Sequence, residues 1–314
     1  MAKIVIVVLA AILLVRVLPF GDRSREAAPT VGEAVREVKS GFVGNKDDSS
    51  EDVSVVSDSA ILINADNGDV LYEKEPDLQR APASLTKVMT VYVAIKNTDD
   101  LDRTLQMPRA ASDTLGGEVS KSGLSAGETV TVRDLLYAAM LASGGDAANA
   151  LALAVAGNEQ SFVSMMNQEA EAMGLVSTHF ENPIGLDADG QVSTCRDMAR
   201  LLKTAMGNSA FREIITSRSY TTTANDVHPK GLVIKHTIDE YLTYFQRYFD
   251  ASGYEIVGGK TGYTTDAGHC LASVAKKENA PTCIAVTMHA TDASDNYYQS
   301  VKDAVVLYDL IYGK

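Results

Sequence analysis

Polar and apolar residues alternate in "SAILINADNGDVLYEK" (59–74), two short strands broken at Asp66-Asn67-Gly68, a tripeptide that predicts a hairpin. After Pro82 the pattern changes. The run Ser84-Leu85-Thr86-Lys87-Val88-Met89-Thr90-Val91-Tyr92-Val93-Ala94-Ile95 is apolar nearly all the way round, which suits a helix inside a large core. From about 101 to 216 a helical period dominates, in "VRDLLYAAMLA" (132–142), "DAANALALAVAG" (146–157), "EQSFVSMMNQEAEAMG" (159–174) and "TCRDMARLLKTAMG" (194–207). Gly157, Gly174 and Gly207 sit where helix stops are expected, and the pair Met165-Met166 reads as core packing. Strand character returns in "SRSYTTT", "LVIKHT", "YEIVGGKTGY", "HCLASVAK" and "TCIAVTMHA", and a helical "NYYQSVKDAVVLYDLIYG" (296–313) closes the chain. Strands at both ends with helices between predict a mixed α/β chain of the α+β type. One antiparallel sheet is built from both chain ends and carries an inserted helical lobe, with a cleft between the two as the place for a site.

The first 57 residues fall outside this pattern. Lys3 precedes a twelve-residue apolar run, Ile4 to Val15, and residues 1–20 are read as a secretory signal peptide or a retained membrane anchor. Residues 21–57, with the acidic patch "KDDSSED", read as a polar linker, which leaves 58–314 as the folded domain. Either reading of the amino terminus puts the rest of the chain outside the cytoplasm, with attachment to the membrane through the N-terminal segment.

Composition removes several functions. With 28 basic against 41 acidic residues and a net charge of −13, the chain lacks the basic footprint of a nucleic-acid binder, and no nucleic-acid partner is expected. Cys195, Cys270 and Cys283 are far apart with no C-x-x-C, so at most one disulfide could form. The five histidines show no metal-ligand spacing; no metal and no cofactor is expected.

One charged residue does not suit its surroundings. Lys87 lies three residues after Ser84 in the apolar helix pattern. Desolvation there lowers a lysine pKa, and a neutral amine beside a hydroxyl makes a nucleophile. Taken alone, these residues are read more simply as a helix-capping Ser84 with Lys87 snorkelling to solvent. A second match, Ser273 and Lys276, lies in a strand pattern, where positions three apart face opposite ways, whereas a helix puts them on one face. "GGKTGYTTDAGHCLASVAK" (258–276) adds Lys260-Thr261-Gly262 at the end of one strand pattern. A lysine, a hydroxyl and a glycine at a strand edge make an anion clamp that a ligand backbone can approach.

Ser84-x-x-Lys87 followed by Lys260-Thr261-Gly262 resembles the motif set of the penicillin-binding proteins and class A β-lactamases. "VLYEKEPDLQRAPASLTKVMT", "LASGGDAANALA", "ENPIGLDADGQVSTCRDMARLL" and "GGKTGYTTDAGHCLASVA" are each similar to a block of the low-molecular-mass D-alanyl-D-alanine carboxypeptidases, in family order. The resemblance covers roughly 58 to 313 and implies a β-lactamase/transpeptidase-like fold acting on peptidoglycan stem peptides, with β-lactam antibiotics as covalent inhibitors. It implies Ser84 as nucleophile, Lys87 as base and Ser143 as proton relay. Lys260 and Thr261, with Gly262, would hold the substrate's terminal carboxylate, and the backbone N–H groups of Ser84 and Tyr263 the oxyanion. Two departures stand out. The middle motif, usually S-x-N, reads Ser143-Gly144-Gly145; and a literal Ser294-Asp295-Asn296 follows K-T-G instead of preceding it, where it reads as a helix cap. The family's common small β domain and carboxy-terminal amphipathic anchor do not follow Lys260's block, which favours the amino terminus as anchor. Two other functions compete: a β-lactamase, for which Glu181 is the one candidate deacylating carboxylate, and a non-catalytic peptidoglycan- or penicillin-binding protein, favoured by the missing asparagine.

Overall fold

The computed structural model describes residues 54–113, 115–116, 119–240, 242–243, 252–291 and 298–313. The expected leader, most of the linker and Ser294-Asp295-Asn296 lie outside the described residues. The linker ends earlier than its composition suggests: Val55 and Ser57 are buried, and Ser57 donates from its N–H to Asp303 over 2.7 Å.

In chain order the elements are β1 (Ser59–Asn64), β2 (Val70–Lys74), a 3-10 turn (Ala83–Thr86), α1 (Lys87–Lys96), β3 (Thr104–Gln106), α2 (Arg109–Asp113), β4 (Thr129–Thr131), α3 (Val132–Leu141) and α4 (Gly145–Ala156). There follow α5 (Glu159–Ala172), α6 (Cys195–Met206), α7 (Ser209–Thr216), β5 (Ser219–Thr221), β6 (Val233–Lys235), β7 (Tyr254–Thr264), β8 (Gly268–Lys277), β9 (Cys283–Ala290) and α8 (Gln299–Tyr312).

The main sheet runs β2-β1-β9-β8-β7, antiparallel throughout, so the first strands lie beside the last one. Strands β1, β8 and β9 are buried on both faces, β2 is the exposed edge, and the period of two sorts the side chains. Ala60 and Leu62 of β1 join Leu271, Ala275 and Ala285 against Val301, Ala304, Leu307 and Tyr308 of α8. Ile61 and Ile63 join Ala272, Val274, Ile284 and Val286 in the core shared with the helical lobe. The same alternation disposes of the second serine–lysine pair. Ser273 points inward to Tyr308, hydroxyl to hydroxyl at 2.9 Å, while Lys276 is exposed.

Two expectations change. The strands in "SRSYTTT" and "LVIKHT" do not join the main sheet; β5 and β6 form a separate hairpin. Its strands are three residues long and solvated on one face, and it packs on α3, where Tyr220 stacks on Tyr137 with centroids 3.9 Å apart. The expected Ser84 helix also begins as a 3-10 turn and becomes α-helical only at Lys87. Two helices of the lobe start on side-chain caps: Thr131 and Asp134 form a capping box on α3, and Thr194 caps α6.

Candidate active site

The 3-10 turn decides the first contact. With three residues per turn, side chains three apart eclipse one another. Lys87 Nζ lies 2.9 Å from Ser84 Oγ and donates to the Ile184 carbonyl oxygen at 2.6 Å. Lys87 is 1% exposed, so it does not snorkel, and no side chain in this turn acts as a cap. Burial pushes its pKa down to about 7, against a smaller upward pull from the Asp146 carboxylate. Near neutral pH a large fraction of Lys87 is therefore an amine with a lone pair.

The residue before the nucleophile, Ala83, has φ +46°, a conformation L residues rarely adopt. It is held there from two sides. A Cβ on Gly262 of β7 would stand 3.2 Å from both Ala83 Cβ and Ser84 N. A Cβ on Gly185 would stand only 1.9 Å from the Ala83 carbonyl oxygen, so this position, at φ +85°, takes glycine alone. The strand edge and the 181–187 loop thus close on the Ser84 turn.

The contacts of that loop to the Ser84 turn and Lys87 were not read from the sequence. Asn182 Oδ1 accepts from the N–H groups of Ile184 (3.2 Å), Gly185 (2.7 Å) and Leu186 (3.1 Å). Thr90 Oγ1 donates to the Pro183 carbonyl (2.6 Å), and Gln191 Nε2 donates to Thr86 Oγ1 (3.0 Å). These bonds tie the loop to α1 and aim the Ile184 carbonyl at Lys87. The sequence signals were the local density of Asn, Pro and Gly in "ENPIGLD" and the resemblance of the block that it opens to the family.

A cleft of about 400 Å³ opens at the pair, lined by Ser84, Lys87, Val119, Ser120, residues 184–187 and Tyr263 to Thr265. Lys260 lies fully buried beside it; its Nζ donates to the Thr261 carbonyl at 2.7 Å. Burial first, then repulsion from Lys87, holds its pKa well below the ordinary lysine value. Among the described residues no carboxylate pairs with it. Thr261 Oγ1 shares a hydrogen bond with Thr237 Oγ1 at 3.1 Å, and Tyr263 is 60% exposed at the mouth. Ser143 is buried at φ +57° in the turn between α3 and α4, but its hydroxyl makes no hydrogen bond to Ser84 or Lys87, so the relay contact is not formed here. Glu181 does not line the cleft; its carboxylate pairs with His179 at 3.2 Å. No group of three or more potential metal ligands occurs among the described residues.

A family profile described as D-alanyl-D-alanine carboxypeptidase matches residues 45–292. The chain belongs to that family. It is 34% identical over 249 residues to a Bacillus subtilis D-alanyl-D-alanine carboxypeptidase, covering 78% of this chain and 60% of that one. It is 34% identical over 223 residues to a Streptomyces D-alanyl-D-alanine carboxypeptidase, covering 68% of this chain and 75% of that one. The crystal structure of a Streptomyces DD-transpeptidase superposes with a TM-score of 0.72 at 30% identity, over 83% of this chain and 97% of that one. A family enzyme with this fold is what the serine–lysine pair and the strand-edge lysine had implied.

Proposed function

We propose that the protein is a serine-type D-Ala-D-Ala carboxypeptidase that trims the terminal D-alanine from peptidoglycan stem pentapeptides through an acyl-enzyme on Ser84. The observation that carries this reading is the buried Lys87 Nζ, 2.9 Å from Ser84 Oγ at the base of an open cleft. With Lys87 neutral, the Ser84 hydroxyl donates to its nitrogen. As Oγ attacks the carbonyl of the penultimate D-alanine, the proton passes to Nζ.

The remaining roles are those that the family resemblance implies. The backbone N–H groups of Ser84 and Tyr263 receive the oxyanion, and the missing side chain at Gly262 lets the two backbones come close. Lys260 and Thr261 hold the substrate's terminal carboxylate. A buried lysine that no carboxylate pairs with among the described residues is costly to charge, and an arriving carboxylate supplies a counter-ion. The proton on Lys87 returns to the leaving D-alanine amine, with the Ser143 hydroxyl as relay once substrate draws it in. Water then attacks the ester, the acyl chain departs as a carboxylic acid, and Ser84 regains its hydroxyl. The exposed, histidine-paired Glu181 gives no support to a β-lactamase.

The substrate lies outside the cytoplasm, and we propose the same location for this domain, delivered or tethered by residues 1–20, with residues 21 to about 53 as the linker. Among the described residues no helix is long and apolar enough to cross a membrane.

The test is labelling with a fluorescent penicillin, together with D-alanine release from a stem pentapeptide. The parent should form a stable adduct and release D-alanine, and Ser84→Ala should do neither. An adduct on Ser84→Ala would place the nucleophile elsewhere, rapid turnover of penicillin would make the protein a lactamase, and no adduct on the parent would make it a binder.

A further inference from the structure

The turn that opens α4 carries glycine at both positions after Ser143. The chain from Val119 to Ser122 lies directly on those two residues. A Cβ on Gly145 would come within 2.5 Å of Val119 Cγ1, and one on Gly144 within 2.8 Å of Ser122 Cβ and 3.1 Å of Ser122 N. Side-chain carbons do not approach under 3.0 Å in close-packed interiors, so the two glycines form a seat that any side chain would crowd. The seat is fastened by hydrogen bonds. Gly145 N–H donates to the Ser120 carbonyl at 2.8 Å. The buried Asp146 carboxylate accepts from Ser122 N–H at 2.9 Å and from Ser122 Oγ at 2.8 Å, and Ser122 Oγ accepts from Leu124 N–H at 3.1 Å. Seated in this way, Val119 and Ser120 line the cleft together with Ser84 and Lys87. The Ser120 carbonyl is committed to Gly145, and Ser120 is exposed at the cleft.

We infer that Val119 and Ser120 are specificity-determining residues of this cleft. They present an apolar wall and one hydroxyl where α4 would otherwise contribute a side-chain amide. The inference rests on the proposed acyl transfer at Ser84 and deepens it. The wall selects peptidyl donors whose acylating residue has a small apolar side chain, because Val119 limits the room beside the nucleophile. Ser120 hydrogen-bonds the donor's backbone and contributes to binding more than to the chemical step. An amide side chain at 145 would compete for the volume that Val119 already fills.

Acylation efficiencies of the parent, Val119→Ala and Ser120→Ala are to be measured with N-acylated peptides ending in D-Ala-D-Ala or in D-Val-D-Ala, alongside fluorescent penicillin. Val119→Ala should raise the efficiency of the D-valyl donor relative to the D-alanyl donor by about tenfold, the scale of one or two methylenes in a shaped pocket. Ser120→Ala should raise KM for the D-alanyl donor roughly fivefold with kcat within about twofold, the pattern of a lost binding contact. If Val119→Ala does not fold, Val119→Ile adds a methyl group to the same wall and should move the ratio the other way. Unchanged selectivity and KM in folded variants that still take penicillin on Ser84 would overturn the inference and leave the carboxypeptidase reading standing. A parent whose Ser84 takes no penicillin would overturn both.

Discussion

The two walls of the cleft are held by opposite means. On one side, β7 carries Lys260 to Tyr263 in a ladder with β8, in which Lys260 faces Ala272, Gly262 faces Cys270 and Tyr263 faces His269. Repetition of the strand fixes each position, and neighbours share the constraint. Elsewhere around the cleft, the 181–187 loop and the 119–122 segment are placed by a few individual side chains, Asn182, Thr90 and Gln191 for the loop and Asp146 for the segment, and by single glycines. A wall made by repetition should yield locally when changed, whereas a wall made of individual contacts should fail as a unit.

Gly185→Ala tests the second half of that contrast and should have the largest effect. Its Cβ meets a backbone carbonyl at 1.9 Å and its φ of +85° disfavours any L side chain. Overlap and strain together should exceed about 3 kcal/mol. The 181–187 loop should leave the Ser84 turn, and penicillin acylation should be lost along with a clear fall in the urea midpoint. A variant with parental midpoint and acylation would show that the loop wall is as forgiving as the strand.

Lys87→Met comes next. It should lower acylation by about 10³-fold, within the range of a lost general base, while stabilising the fold. The sign follows from the buried amine. In the folded chain Lys87 titrates near 7, while in the unfolded chain it titrates near the ordinary 10.5. Between these values the unfolded state holds the extra proton, so the parent gains stability as pH rises from about 7 toward 10.5. The advantage of methionine should accordingly be greatest at and below pH 7 and fade toward pH 10. Thermal midpoints at pH 6 and pH 10 check this, and parental acylation should itself rise through about pH 7. A methionine variant less stable than the parent at pH 6 would mean that the Ile184 carbonyl bond outweighs the desolvation of Lys87.

Gly262→Ala sharpens the strand side and should have the smallest effect. Its contacts at 3.2 Å require shifts of only a few tenths of an ångström. A barrier change of about 1.4 kcal/mol corresponds to a tenfold slower acylation, and the fold should be unaffected. A loss as complete as that of Gly185→Ala would erase the distinction between the walls.

The same distinction explains what could be read from the sequence. Ser84 with Lys87, and Lys260-Thr261-Gly262, sit in regular elements whose period tells which side chains share a face. The five-stranded sheet and the helices of the lobe were legible for that reason. The Ile184 carbonyl was not, because a backbone group carries no residue identity. Nor were Val119 and Ser120, since the glycines that seat them are more than twenty residues away in the chain. The hairpin of β5 and β6 was misassigned to the main sheet because strand propensity does not say which edge a strand joins. Ser143 illustrates a different limit: its motif was visible, but its hydroxyl is not bonded to the pair it was expected to serve.

The position of β1 between β2 and β9 also bears on when the enzyme can exist. Ser59 pairs with Met288 and Asn64 with Cys283, so the sheet cannot close until the strand at Cys283–Ala290 has left the ribosome. Contacts this distant in sequence pay their loop-closure entropy before they return any energy, which makes such a topology slow to form. The Ser84 turn is made early, but the β7 edge that confines it follows some 170 residues later. A nascent or translocating chain therefore carries its serine and lysine without a cleft around them, and hydrolytic competence begins only when the last strands arrive.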